Sequence, residues 1–162
     1  MVKAVYSGTF DPVTNGHLDI IERASKMFDE VYVTIFGHPT KTALLTIEER
    51  IDLLNIATKH LDNVHVDAST SLAVDYCRKV GATILLRGIR NTSDYEYESN
   101  MAYANRYLDS SVETLFMVTS PEFAFVSSSR VKEIASFHRD VNDLVPACVA
   151  GVLKKKYEEK SL

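Results

Sequence analysis

The amino-acid sequence predicts an α/β fold: a doubly wound, five-stranded parallel sheet of order 3-2-1-4-5, with helices on both faces. Three observations predict it. Short β-branched or apolar runs recur at residues 4–6, 31–36, 64–66, 83–86 and 114–118, each bounded by polar or turn residues. Segments with helical spacing of apolar side chains lie between them. Strand then alternates with helix, and parallel neighbours need a crossover, which is right-handed almost without exception. With no linker, repeat or low-complexity stretch in between, residues 1–162 are expected to form a single domain.

In chain order, the first run leads into a helix carrying Leu18, Ile21, Ala24 and Phe28 on one face. The second leads into a helix whose mostly apolar stripe is Ile47, Arg50, Ile51, Leu54, Ala57 and Leu61. Thr46 with Glu49, and Ser93 with Glu96, fit the capping box, in which each side chain satisfies an orphan backbone donor at the other position. Gly81 marks a helix C-terminus. After the fifth run Pro121 breaks the chain, residues 127–129 can cap a new helix, and Pro146 can open a last one. That helix runs into Lys154, Lys155 and Lys156, a solvated end with favourable dipole placement.

Composition narrows the function. The 162 residues are 46% apolar and 25% charged, ordinary globular usage that excludes collagen-like and disordered classes. Eighteen Lys plus Arg against 22 Asp plus Glu give a net charge of -4, so no global positive field holds a nucleic acid, and anionic ligands must be met by local cations. Cys77 and Cys148 have no metal-ligand spacing and read as reduced, buried thiols; no metal site of the protein's own is expected. Without a signal-peptide pattern or an 18-residue apolar run, no membrane association and a cytoplasmic location are expected.

The chemistry concentrates where the first run meets the first helix, at residues 7–17 (SGTFDPVTNGH). Glycines let the backbone approach a ligand, Thr14 or Asn15 can act as N-cap, and the free amides and helix dipole favour an anion. His17 falls in the first helical turn, aimed at whatever those amides bind. A second cluster, Arg87-Gly88-Ile89-Arg90, follows the fourth run and precedes an acidic helix with Asp94 and Glu98. A surface ion-pair group with that helix is the competing reading. Strands one and four flank the switch point of a 3-2-1-4-5 sheet, however, so both turns should face one crevice. Lys41, beyond the second strand, is a further phosphate-ligand candidate, although Thr40 stands where a Walker A motif requires glycine. Ser127, Ser128 and Ser129 offer hydroxyls and helix-start amides. The chain carries no GxSxG, HExxH, EF-hand or GxGxxG pattern, and these cations suit polyphosphate chemistry, where positioning and charge stabilisation supply most of the catalysis.

Gly8 to Pro12 followed by Thr14-Asn15-Gly16-His17 resembles the TxGH signature of the nucleotidyltransferase superfamily, whose fold is Rossmann-like. Residues 87–90, 94–98 and 126–133 look like the remaining signatures of the bacterial phosphopantetheine adenylyltransferases, and the likeness spans the first strand to the last helix. The resemblance implies transfer of the adenylyl group of ATP to 4′-phosphopantetheine, giving dephospho-coenzyme A and pyrophosphate, with Mg²⁺ assisting and no covalent enzyme intermediate. Matched position by position, it assigns Thr9, Phe10, His17, Gly88, Ile89, Arg90, Glu98, Phe123, Ala124, Phe125, Val126, Ser127, Ser128 and Ser129 to ATP. It assigns Thr9, Lys41, Ala73 and Arg87 to phosphopantetheine. His17 is implied to stabilise the transition state, with Lys41 and Arg90 as the other candidate catalytic groups. A homohexamer and feedback inhibition by coenzyme A are implied as well. Ser7 stands where the family commonly has proline, and Ala73 replaces a bulkier apolar residue. The alternatives are a related nucleotidyltransferase with another acceptor, such as nicotinate mononucleotide or a small phosphate ester, and a noncatalytic ATP-binding module on the same fold.

Overall fold

The structure, a computed structural model, describes residues 1–37 and 42–161. Five parallel strands, β1 (Lys3–Gly8), β2 (Glu30–Phe36), β3 (Val64–Ser69), β4 (Ile84–Ile89) and β5 (Glu113–Val118), form one sheet in the order β3-β2-β1-β4-β5. The crossovers carry α1 (Asn15–Met27), α2 (Ile47–Thr58), α3 (Ala73–Val80) and α4 (Thr92–Leu108); α5 (Ser128–Ser136) and α6 (Ala147–Lys160) follow the last strand. This is the predicted topology, and the strands run a residue or more beyond several of the sequence-predicted ends. No described helix is long and apolar enough to cross a membrane.

The sheet buries both faces. Alternate side chains of β1 point to opposite sides, so Ala4 and Tyr6 join one core while Val5 joins the other. The larger core packs Ile20, Ile21 and Ala24 of α1, Leu53 and Leu54 of α2, Val131 and Ala135 of α5 and Val149 and Leu153 of α6 against Val31, Val33, Ile35 and Leu86. On the other face Val74, Tyr76 and Cys77 of α3 cover Val5 and Leu85. Each fully buried aliphatic side chain of this kind is worth about 1.5–3 kcal/mol relative to exposure.

Helix ends follow local chemistry, with one correction. Thr46 and Glu49 form the expected capping box, and Gly81 closes α3 with a left-handed φ of 72°, a conformation glycine adopts without a Cβ penalty. The expected box of Ser93 and Glu96 does not form. The cap of α4 is Asn91, whose side chain accepts from the Asp94 N–H, so the helix starts two residues earlier than predicted from Ser93. Asn caps as well as Ser, and here it stands two residues past the strand end.

Candidate active site

The C-terminal ends of β1, β2, β4 and β5 open onto one crevice of about 810 Å³. Residues of the β1–α1 turn form its floor, Thr42, Ala43, Ile47 and Arg50 one wall, Arg87, Gly88, Arg90 and Glu98 another, and residues 126–129 with Lys132 the third. This is the switch-point location at which open α/β sheets take ligands.

The β1–α1 turn is built by packing. Phe10 adopts a left-handed φ of 48°, unusual for a side chain of this size, and is held there by its fully buried ring, which meets Tyr6 and His17 edge to face at 5.4 and 4.9 Å. A Cβ at Gly8 would lie 2.9 Å from that ring, so this position requires glycine. The Asp11–Pro12 peptide is cis. Asp11 is buried, and its carboxylate accepts from the Leu44 and Leu45 amides at 2.9 Å and from Lys132 Nζ at 3.0 Å. Burial pushes the Asp11 pKa up, but these donors outweigh it and leave it below the usual value.

His17 occupies the N3 position of α1. The Thr14 N–H donates to its Nδ1 at 3.0 Å, and Thr14 Oγ1 accepts from the His17 N–H at 3.3 Å, a capping box with histidine in place of Glu or Gln. Burial, reinforced by the charges of Arg87 and Arg90, drives the imidazole pKa down to about 4. The ring is therefore neutral at physiological pH, with Nδ1 accepting and Nε2 carrying the proton.

The two predicted arginines do face this crevice, and they also pair with the acidic helix. Arg87 donates Nε and Nη2 to the two carboxylate oxygens of the buried Glu98, at 2.8 and 2.6 Å, and Nη1 to the Ser7 carbonyl and hydroxyl. Burial disfavours its charge, but Glu98 more than restores it and raises the pKa. Arg90 donates its backbone N–H and Nε to Asp94 Oδ2 at 3.0 Å and Nη1 to the Val126 carbonyl at 3.3 Å. The pairing with the acidic helix that the competing reading expected is present, but within the crevice and not as a surface group: the carboxylates orient the guanidinium groups, and part of the cationic charge is offset. Among the described residues, four cationic side chains and three carboxylates line the crevice.

The predicted residues Thr9, Phe10, His17, Arg87, Gly88, Arg90, Glu98, Val126, Ser127, Ser128 and Ser129 all line this crevice. Others do not. Ala73 starts α3 beyond the edge strand β3, two strands from β1, and packs on the second core. Ile89, Phe123, Ala124 and Phe125 lie outside the crevice wall, with Phe123 packed on the core and Phe125 exposed. Lys41 lies outside the described residues. Ser127 caps α5 by accepting from the Arg130 N–H, and Ser128 donates its hydroxyl to the Pro12 carbonyl. Asp11, Arg50 and Lys132 are among the crevice residues that escaped the sequence-based assignment of site residues. Arg50 did leave a signal, an arginine standing on an apolar stripe.

Residues 5–134 match the cytidylyltransferase-like family. A phosphopantetheine adenylyltransferase of Heliobacterium modesticaldum is 46% identical over 157 residues, 97% of this chain and 94% of the relative. The chain belongs to the phosphopantetheine adenylyltransferase family. It is a nucleotidyltransferase of the cytidylyltransferase-like group. A solved structure from Vibrio parahaemolyticus, assigned provisionally as a nicotinate-nucleotide adenylyltransferase, shares the fold: TM-score 0.73, 18% identity, covering 98% of this chain and 97% of that one.

Proposed function

We propose that the protein transfers the adenylyl group of ATP to 4′-phosphopantetheine, yielding dephospho-coenzyme A and pyrophosphate. The observation that carries this reading is the placement of His17 at the start of α1, its Nδ1 held by the Thr14 N–H, in the same crevice as Arg87 and Arg90. A phosphomonoester has a second pKa near ~6, so the acceptor is already largely dianionic at neutral pH and attacks without a dedicated base. The obstacle is repulsion between anions, of about 4 kcal/mol for two unit charges 4 Å apart at an effective dielectric of 20. The guanidinium groups of Arg87 and Arg90 and the α1 amides offset it, and His17 Nε2–H donates to the α-phosphoryl oxygens as charge grows there. Lys41 belongs to this reading as a further cation, and residues 126–129, which line the crevice, as the nucleotide side of the site. Attack is in line, with no enzyme-bound intermediate.

Mg²⁺ enters this reading as part of the nucleotide substrate, MgATP, with phosphate oxygens filling much of its octahedral shell. The crevice carboxylates Asp11, Asp94 and Glu98 already hold Lys132, Arg90 and Arg87. A cytoplasmic location belongs to the reading, because ATP and a phosphorylated intermediate are held there. So does a homohexamer, which would cover exposed α4 side chains such as Tyr103 and Tyr107. Coenzyme A, carrying the product's pantetheine arm and nucleotide, would compete for the crevice.

The deciding experiment is pyrophosphate release with ATP and a panel of acceptors. Turnover with phosphopantetheine well above that with nicotinate mononucleotide or glycerol phosphate is expected. ATP binding without turnover on any acceptor would leave a noncatalytic module instead.

A further inference from the structure

Among the described residues, Arg50 differs from the other cations of the crevice. It projects from the first half of α2 and is 6% exposed, yet it forms part of the crevice wall. Its Nη1 donates to the Thr9 carbonyl at 3.0 Å and its Nε to the Thr46 carbonyl at 3.3 Å. Both partners are neutral. Among the described residues no carboxylate lies within 4.0 Å of it, whereas Arg87, Arg90 and Lys132 hold Glu98, Asp94 and Asp11. Nη2 has no protein partner among the described residues, and Arg50 lines the crevice.

A guanidinium removed from water without an anion carries a desolvation penalty, which carbonyl dipoles repay only in part. Placing it on the buried stripe of a helix, where an apolar side chain would pack at no such cost, makes sense if an anion arrives. Its two carbonyl bonds fix the plane of the fork and leave one edge for oxygen atoms. Arg50 stands with Thr42, Ala43 and Ile47 on the β2 side of the crevice, whereas Arg90 and Ser127 to Ser129, the nucleotide side in the proposed reading, line it from β4 and α5.

We propose that Arg50 binds the phosphate of the acceptor directly through Nη2, as the substrate-neutralised cation of the β2 wall. The proposal rests on the adenylyl-transfer reading above, which assigns a phosphomonoester to the acceptor. It also accounts for the contact to Thr9: the same guanidinium that meets the phosphate ties it to the β1–α1 turn, so acceptor binding and turn geometry are linked.

The test compares phosphopantetheine with pantetheine, which differs only by the phosphate, in titration calorimetry on wild type, Arg50→Gln and Arg50→Lys. Arg50→Gln is expected to lose about tenfold or more in phosphopantetheine affinity, with pantetheine affinity and the KM for ATP little changed and Arg50→Lys in between. Equal losses for the two ligands would overturn the proposal, since a residue that only braces the turn cannot distinguish them. Should both variants fail to fold, a crystal structure of the wild-type complex decides: a phosphate oxygen within about 3.5 Å of Nη2 sustains it, and a phosphate seated elsewhere ends it. Wild-type turnover on the acceptor panel tests the functional reading separately. If nicotinate mononucleotide proves to be the acceptor, the same comparison with its nucleoside still decides the role of Arg50.

Discussion

Thr14 and His17 hold each other at both ends: the Thr14 amide donates to the imidazole Nδ1 at 3.0 Å while the Thr14 hydroxyl oxygen accepts from the His17 amide at 3.3 Å. The cap that starts α1 therefore also sets the tautomer of the one histidine that lines the crevice among the described residues. In the proposed reading, replacing His17 by Ala removes a donor aimed at charge that develops in the transition state. The expected result is a fall in kcat of about 10²-fold or more, with a smaller change in ATP affinity. Steady-state kinetics with parallel ATP titrations check this, and a kcat within a few-fold of wild type would refute the role.

The low pKa of His17 makes a prediction about acid. The folded value is about 4 against an ordinary 6.5, so between these pH values the unfolded chain binds a proton that the folded chain excludes. Stability contributed by the neutral ring is complete above pH 6.5 and falls as pH drops toward 4, by up to about 1.4 kcal/mol per pH unit. Urea unfolding at a series of pH values should show this slope in wild type and a shallower one in His17→Asn. In activity, an acid limb near ~6 should survive the substitution, because it belongs to the phosphomonoester of the acceptor.

Much of this architecture is legible in the sequence for a simple reason. Parallel strands joined by helices admit few topologies, so five apolar runs and their alternation lead directly to the order β3-β2-β1-β4-β5 and to the meeting of the β1 and β4 turns. What is not legible depends on contacts across the chain. Nothing in the spacing of Arg87 and Glu98 says that the two bind in a fork, because that requires α4 to lie along β4 and β5 with Glu98 turned inward. The cap of α4 was missed for a local reason: Ser93 and Glu96 satisfy the pattern, but Asn91 reaches the first free amide sooner. Asp11 and Lys132 are 121 residues apart, and only the packed sheet brings them to 3.0 Å.

Arg87→Ala is expected to act at two levels. It removes a cation from the acceptor side and leaves Glu98, only 8% exposed, as a buried carboxylate without its partner. Breaking a buried pair from one side costs about 3–5 kcal/mol, so the melting temperature should fall along with phosphopantetheine affinity. The double variant Arg87→Ala with Glu98→Gln should recover stability while acceptor affinity stays low. Calorimetric titration and thermal unfolding of the three proteins separate the two effects. Recovery of affinity in the double variant would mean that Arg87 acts on the acceptor only by neutralising Glu98.

Asp11 supports the crevice without presenting a free charge to it. One carboxylate gathers the backbone of Leu44 and Leu45, which lead into α2, and the ammonium of Lys132 on α5. Three segments that wall the site thus meet on four percent of a side chain's surface left exposed. Asp11→Asn keeps the shape but replaces one acceptor oxygen with a donor, which must face an amide or the ammonium. The expected cost is about 1–3 kcal/mol of stability, since in either orientation of the amide at least one backbone N–H loses its acceptor and the half-buried Lys132 loses its counter-charge. Hydrogen exchange at Leu44 and Leu45 should accelerate before the core strands respond, and KM for both substrates should rise together, because Asp11 positions the walls and binds neither ligand. Unchanged exchange at these two amides, with stability within about 0.5 kcal/mol of wild type, would show that the three segments hold their places without it.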